Sequence, residues 1–200
     1  MKQLVLFLSL SLCFTLSAQM TEEEVLEHRK NHLATLMDTS SGYLKPEEIT
    51  SFKGLDYFDF DSGYQVVATF KKSKGKKFEM PTSTERLPVY RRYGYVTFTI
   101  DDTELTLEVY QNIEHRKHEE YRNYLFIPFR DGTSGKESYG GGRYLEVLMP
   151  EGKELELDFN LCFNPYCVYS DRYSCPVPPK ENTLEIGIKA GEKTPPGYGH

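Results

Sequence analysis

"YGYVTFTIDDTELTLEVYQ", residues 93–111, decides the fold. Val96, Phe98 and Ile100 alternate with Tyr95, Thr97 and Thr99. Leu105, Leu107 and Val109 then alternate with Thr106 and Glu108. A period of two puts each apolar set on one face of an extended strand. Between them "DDTE" (101–104) carries turn chemistry, so the stretch reads as an antiparallel hairpin with one face turned to a core.

Working outward, the pattern recurs. "GYQVVATF" (63–70) reads as a strand, "KKSKGK" (71–76) as a basic turn, and "KFEM" (77–80) as resumed extended chain. In "YLFIPF" (124–129) Leu125, Ile127 and Phe129 share a face, while Pro128, which has no N–H, predicts an edge or a bulge. "RYLEVLM" (143–149), "ELELDFNLCF" (154–163) and "NTLEIGIKA" (182–190) complete the set, and "MPEGKE" (149–154) is short enough to make a hairpin of the first two. With 15 Tyr and 12 Phe, this predicts a mainly β, α+β fold. Its antiparallel sheet closes as a barrel or sandwich, with an N-terminal helix packed against it.

That helix is announced by Thr21 and Glu24, the two ends of a capping box, and should stop before "DTSSG" (38–42). Val25, Leu26, Leu33, Leu36 and Met37 form its apolar stripe, and Pro46 starts a second short helix. Upstream, Lys2 precedes an apolar run from Leu4 to Leu16 and the small residues Ser17 and Ala18. This is the layout of a signal peptide over 1–18, with cleavage leaving Gln19 first and export to the periplasm or the extracellular space. The expected organisation is then a helical segment over 19–62, a β-rich part over 63–192 within the same domain, and a loose tail over 193–200. Only Lys2 is lost with the leader, so the net charge moves from −6 to −7. An acidic chain of this kind argues against nucleic acid as a partner, and no second apolar run predicts a membrane span after the leader.

Two loops carry the candidate chemistry. "FRDGTSGKESYGGGRY" (129–144) has neither phosphate-loop nor dinucleotide-loop spacing, so no nucleotide cofactor is predicted. Its glycines deliver Arg143 to the start of a strand, on the side that Leu145 and Val147 share. A guanidinium there calls for a carboxylate or a bound anion, and Asp131 and Asp158 are the candidate acids. In "ELELDFNLCF" read as one strand, Asp158, Asn160 and Cys162 point away from the leucine face.

The pocket reading makes Arg143 the binder of a small polar or anionic molecule, with Tyr139, Asn160 and Asn164 donating hydrogen bonds and Asp158 and Asp131 as acid–base groups of a hydrolase-like site. The other reading is a non-catalytic envelope or interaction domain in which the same residues form a buried structural network. His28 with His32, and His115 with His118, have spacings that could start a metal site, but no further ligands join them in sequence and no metal is predicted. Of Cys162, Cys167 and Cys175, the pair Cys167–Cys175 would staple the ends of a short loop inside the stiff stretch 163–182, which holds four prolines.

"PFRDGTSGKESYGGGRYLEV" (128–147) and "LDFNLCFNPYCVYSDRYSCPVPPKENTLEIGIKAGEK" (157–193) resemble the family called domain of unknown function 1684, as do "FKGLDYFDFDSGYQVVATF" (52–70) and "YRRYGYVTFTI" (90–100). The resemblance implies no activity. It implies that Asp131, Tyr139, Arg143, Asp158, Asn160 and Asn164 belong to a shared pattern. The family more often shows Ala-Tyr where Leu161 and Cys162 stand, which leaves Cys167 and Cys175 as the natural pair.

Overall fold

A computed structural model describes residues 19–198, so the leader expected over 1–18 lies outside the described residues. Helix α1 spans Glu22–Met37 and α2 spans Pro46–Ser51. Seven strands follow: β1 Gln65–Lys72, β2 Lys77–Glu79, β3 Val89–Ile100, β4 Thr103–Asn112, β5 Tyr124–Phe129, β6 Arg143–Leu148 and β7 Glu154–Asp158. They make one antiparallel sheet in the order β6-β5-β4-β3-β1-β7, with β2 also on β3.

The hairpin at residues 93–111 forms as its alternation requires. Val96 faces Leu107 and Phe98 faces Leu105, and all four are buried. Ile100 pairs with Thr103, so only Asp101 and Asp102 make the turn. Both take positive φ, 47° and 60°, the left-handed conformation that matches the twist of a two-residue hairpin.

β6 and β7 do not pair as a hairpin. They are the two edges of the sheet, and β7 pairs with β1 instead. Six peptide steps separate Leu148 from Glu154, a reach of about 20 Å at most, so a short link forces the two edges to approach one another. A bridge between Tyr144 and Phe163 ties β6 to the chain just beyond β7. The sheet therefore curls into a half-barrel around a core that includes Val96, Leu107, Ile127, Leu157 and Phe159.

Three further expectations change. β7 ends at Asp158, and residues 159–161 form a 3₁₀ turn, so the alternation read through Phe163 breaks and adjacent Phe159 and Asn160 are both fully buried. Residues 182–190 join no ladder. They form an arm that meets Arg130 through one bridge at Thr183 and buries Leu184, Ile188 and Ala190. Pro128 lies on an interior strand, not an edge. β4 and β5 pair at Tyr110 and Phe126 and splay beyond, and the side chain of Asn182 fills the opening. Asn182 accepts from Glu108 N at 2.8 Å and donates to Glu108 O at 2.9 Å and to Pro128 O at 2.8 Å. An amide thus replaces ladder bonds where proline has no donor to give.

α1 begins with the Thr21–Glu24 capping box and lies against the 3₁₀ turn after β7. Its inward stripe is narrower than the leucines suggest: Val25, Arg29 and Leu36 are buried, whereas Leu26 and Met37 are exposed. Among the described residues no helix is long and apolar enough to cross a membrane.

Candidate functional site

Gly142 sets the direction of Arg143. It holds φ at +93°, and a Cβ there would stand 2.5 Å from Phe129 O, so the backbone turns into β6 in a way other residues resist. Arg143 then follows the strand alternation inward and has no exposed surface. Its guanidinium lies 5.5 Å from the Phe129 ring centroid and 5.6 Å from that of Phe58.

The partner acid is Asp131. Nη2 of Arg143 donates to Asp131 Oδ2 at 2.8 Å and to Ile188 O at 2.7 Å. Nη1 donates to Glu192 O at 3.1 Å and, in a short bond, to Ala190 O. Asp131 Oδ1 in turn accepts from Thr133 N at 2.6 Å and Thr133 Oγ1 at 2.5 Å, and Thr133 Oγ1 meets Ser138 Oγ at 2.7 Å. Both side chains of the ion pair are 0 % exposed. A planar cation with five donors suits this work, because it binds one carboxylate and three carbonyls at once.

Asp158 is not in contact with Arg143. Its Oδ2 accepts from Gln65 Nε2 at 2.8 Å, and its Oδ1 accepts from Asn160 N and Nδ2, each at 2.9 Å. The contact expected from a β6–β7 hairpin fails because those strands do not pair. Asp158 instead caps the 3₁₀ turn. Asn160 bonds Asp61 on both main-chain atoms, at 3.1 and 2.9 Å, and its carbonyl accepts from Arg29 Nη2 at 3.3 Å. Asn164 donates through N to Glu192 Oε2 at 2.7 Å and through Nδ2 to Lys193 O at 2.8 Å. Tyr139 packs against Tyr198, with ring centroids 5.4 Å apart.

The structure therefore divides the six sequence candidates. Arg143 and Asp131 share one buried network, and Asp158 and Asn160 share a second. Asn164 belongs to a third group, which sequence reasoning missed. There the carboxylate of Glu192, a fully buried residue, accepts from Tyr169 Oη at 2.9 Å and Tyr57 Oη at 3.4 Å and lies 3.2 Å from His32 Nδ1. Burial next to this carboxylate pushes the phenols of Tyr57 and Tyr169 upward, so both stay protonated as donors. A signal existed in Gly191. It takes φ +74°, and a Cβ would lie 2.3 Å from Cys162 Sγ, which marks close approach beside Glu192. Burial also pushes the Cys162 thiol up to about 12, so it stays a neutral packing group. Cys167 and Cys175 come together as two thiols, with Cys167 N donating to Cys175 Sγ at 3.2 Å. His32 turns to Glu192, and among the described residues no group of three or more His, Cys, Asp or Glu is placed to hold a metal.

A solvent-connected groove lies elsewhere. It has a volume of about 250 Å³ and is lined by Gly75, Lys76, Phe78, Arg92, Glu108, Tyr110, Pro179 and Glu181. Arg92 Nη1 donates to Glu108 Oε1 at 2.6 Å, Tyr110 Oη donates to Glu108 Oε2 at 2.7 Å, and the buried Arg92 Nε has no hydrogen-bond partner among the described residues.

A half-barrel whose polar core residues bind its own backbone defines a small β-rich domain with an internal ionic support. A family profile described as "Protein of unknown function (DUF1684)" matches residues 50–193, and the chain belongs to that family. It is also similar to the solution NMR structure of an uncharacterized protein from gene locus rrnAC0354 of Haloarcula marismortui. The two are 35 % identical with a TM-score of 0.65, over 86 % of this chain and 94 % of that one. No curated protein matches the chain.

Proposed function

We propose that this protein is an exported, non-catalytic interaction domain whose Arg143–Asp131 pair is its internal support. The carrying observation is that both side chains are fully buried and bonded to each other and to main chain. A ligand would have to displace Asp131 and three carbonyls to reach the guanidinium. The export half of the reading rests on the charge, length and small-residue pattern of residues 1–18. The test is Arg143→Met in urea unfolding. Stranding Asp131 should cost about 3–5 kcal/mol, and Arg143→Met combined with Asp131→Leu should recover part of the loss. A single variant within about 1 kcal/mol of the parent would refute the structural role.

The groove at Arg92 favours a second reading, in which the domain also holds a small polar molecule. Lys76 and Glu181 line it beside the Arg92–Glu108 ion pair, so both signs of charge are offered within a volume below the ~300 Å³ of drug-sized pockets. An amino-acid-sized zwitterion fits that chemistry. Titration with glycine and with arginine, followed by NMR, should shift the side-chain Nε–H of Arg92. Unmoved signals with both at millimolar concentration would remove this reading.

A further inference from the structure

Cys167 and Cys175 stand apart from the networks above. The loop that carries them is stiffened by Pro165, Pro176, Pro178 and Pro179. Cys167 lies in a 3₁₀ turn spanning Tyr166–Val168, partly exposed, and Cys175 is 8 % exposed. Cys167 N donates to Cys175 Sγ at 3.2 Å, so the turn is already folded onto the second sulfur. Cys175 is itself anchored: its N–H donates to Ser83 Oγ at 3.1 Å, and its carbonyl accepts from Ser83 N at 2.8 Å. The Cys175 sulfur is therefore held against the backbone of Cys167 on a support fixed from both sides, and a side-chain hydrogen bond joins the two thiols.

We propose that Cys167 and Cys175 are a redox-active dithiol that exchanges with small disulfides, with Cys167 attacking and Cys175 resolving. The assignment of roles follows exposure, since the outer sulfur is the one a small disulfide can reach. The Cys167 thiolate attacks one sulfur of the disulfide, whose S–S bond breaks and whose other half leaves as a thiolate. Cys175, having lost its proton to solvent, then attacks Cys167 Sγ and releases the second half. Two protein thiols are oxidised to one disulfide, and one small disulfide is reduced to two thiols.

The electrostatics support this order. Hydrogen bonds from the Cys175 thiol and from Ser83 lower the Cys167 thiol to about 6, which favours its ionised form, while the hydrogen bond with Cys167 and burial push the Cys175 thiol up. Among the described residues, the titratable groups that act on or respond to the pair are Arg86, Tyr90, Tyr139, Tyr144 and Tyr173. The tyrosines are neutral at pH 7, so no carboxylate among these groups repels the thiolate.

The experiment treats the reduced chain beginning at Gln19 with oxidised glutathione under native conditions. Free thiols in the denatured, quenched product should fall from three to one, and peptide mapping should place the bond between Cys167 and Cys175. Cys175→Ser should instead trap one glutathione on Cys167. Cys167→Ser should slow glutathione uptake at Cys175 by about tenfold or more, because the reachable thiolate is gone. Iodoacetamide labelling of wild type should modify Cys167 first, with a rate that falls as the pH drops through about 6. Three remaining thiols after oxidation, a bond that includes Cys162, or first labelling at Cys175 would each overturn the proposal. Circular dichroism of both serine variants separates loss of reactivity from loss of fold.

Discussion

Replacing Asn182 with alanine is the sharpest test of how this sheet is held open. Three hydrogen bonds of 2.8–2.9 Å connect its amide to Glu108 N, Glu108 O and Pro128 O. Alanine leaves those three main-chain groups without partners between β4 and β5. Each such group costs about 1–3 kcal/mol when water cannot replace the bond. Glu108 is only half-buried, so the lower end applies there, and the sum is about 3–5 kcal/mol. That is a large share of the ~5–15 kcal/mol that holds a typical domain together. Urea unfolding followed by circular dichroism at neutral pH would read it as a lower midpoint at an unchanged slope. Asn182→Asp provides the control. It keeps the acceptor for Glu108 N but sets a carboxylate against two carbonyls, so it should be at least as damaging at pH 7 and should recover partly on acidification. A loss below about 1 kcal/mol for Asn182→Ala, or wild-type stability for Asn182→Asp at pH 7, would show that the splayed strands do not depend on this side chain.

Other outcomes follow from the same structure. Asp102→Gly should raise the unfolding midpoint, because φ of 60° is strained for a side chain; the gain is about 0.5–1 kcal/mol, and a decrease would refute the turn assignment. In the reduced protein, Cys167 is ionised in the fold above about 6 and protonated in the unfolded chain up to its ordinary value near 9. The unfolded state therefore binds more protons in that window, so stability from this group rises with pH and is lost as pH falls through about 6. The midpoint difference between wild type and Cys167→Ser should widen from pH 6 to pH 8, and a constant difference would contradict it. Oxidising Cys167 and Cys175 should raise stability by about 2–3 kcal/mol through closure of a short loop, measured by urea unfolding with and without reductant. Protein exported with its native leader should have a mass that begins at Gln19, and an intact N-terminus in the secreted fraction would refute cleavage there.

The hairpin of residues 93–111 was legible because its strands are neighbours in sequence and one face of each is uniformly apolar. The same local logic misread the link after β6. Its brevity is compatible with a hairpin and equally with two sheet edges drawn close by curvature, and only the pairing of β7 with β1, more than 80 residues apart in sequence, separates the two. Arg143 was legible as an inward charge from strand parity alone. Its partner was half legible: Asp131 and Asp158 were both candidates, and the choice depended on which strands pair. Glu192 and His32 were not legible as partners, because they lie in a glycine-flanked arm and a charged helix, and Gly191, the one local sign of close approach, does not say what Glu192 meets. Asn182 was missed for a related reason, since its role exists only where two distant strands separate.

The binding of Arg143 to the carbonyls of Ile188, Ala190 and Glu192 bears on when the protein can finish folding. Those partners lie 45, 47 and 49 residues further along the chain. Until they arrive, the guanidinium has one carboxylate and no other replacement for its hydration shell, so the barrel interior cannot dry around it. Completion of the core is thereby tied to emergence of nearly the whole polypeptide. For a chain exported as proposed, such a late-acting latch would keep the nascent molecule open until nearly all of it has been made.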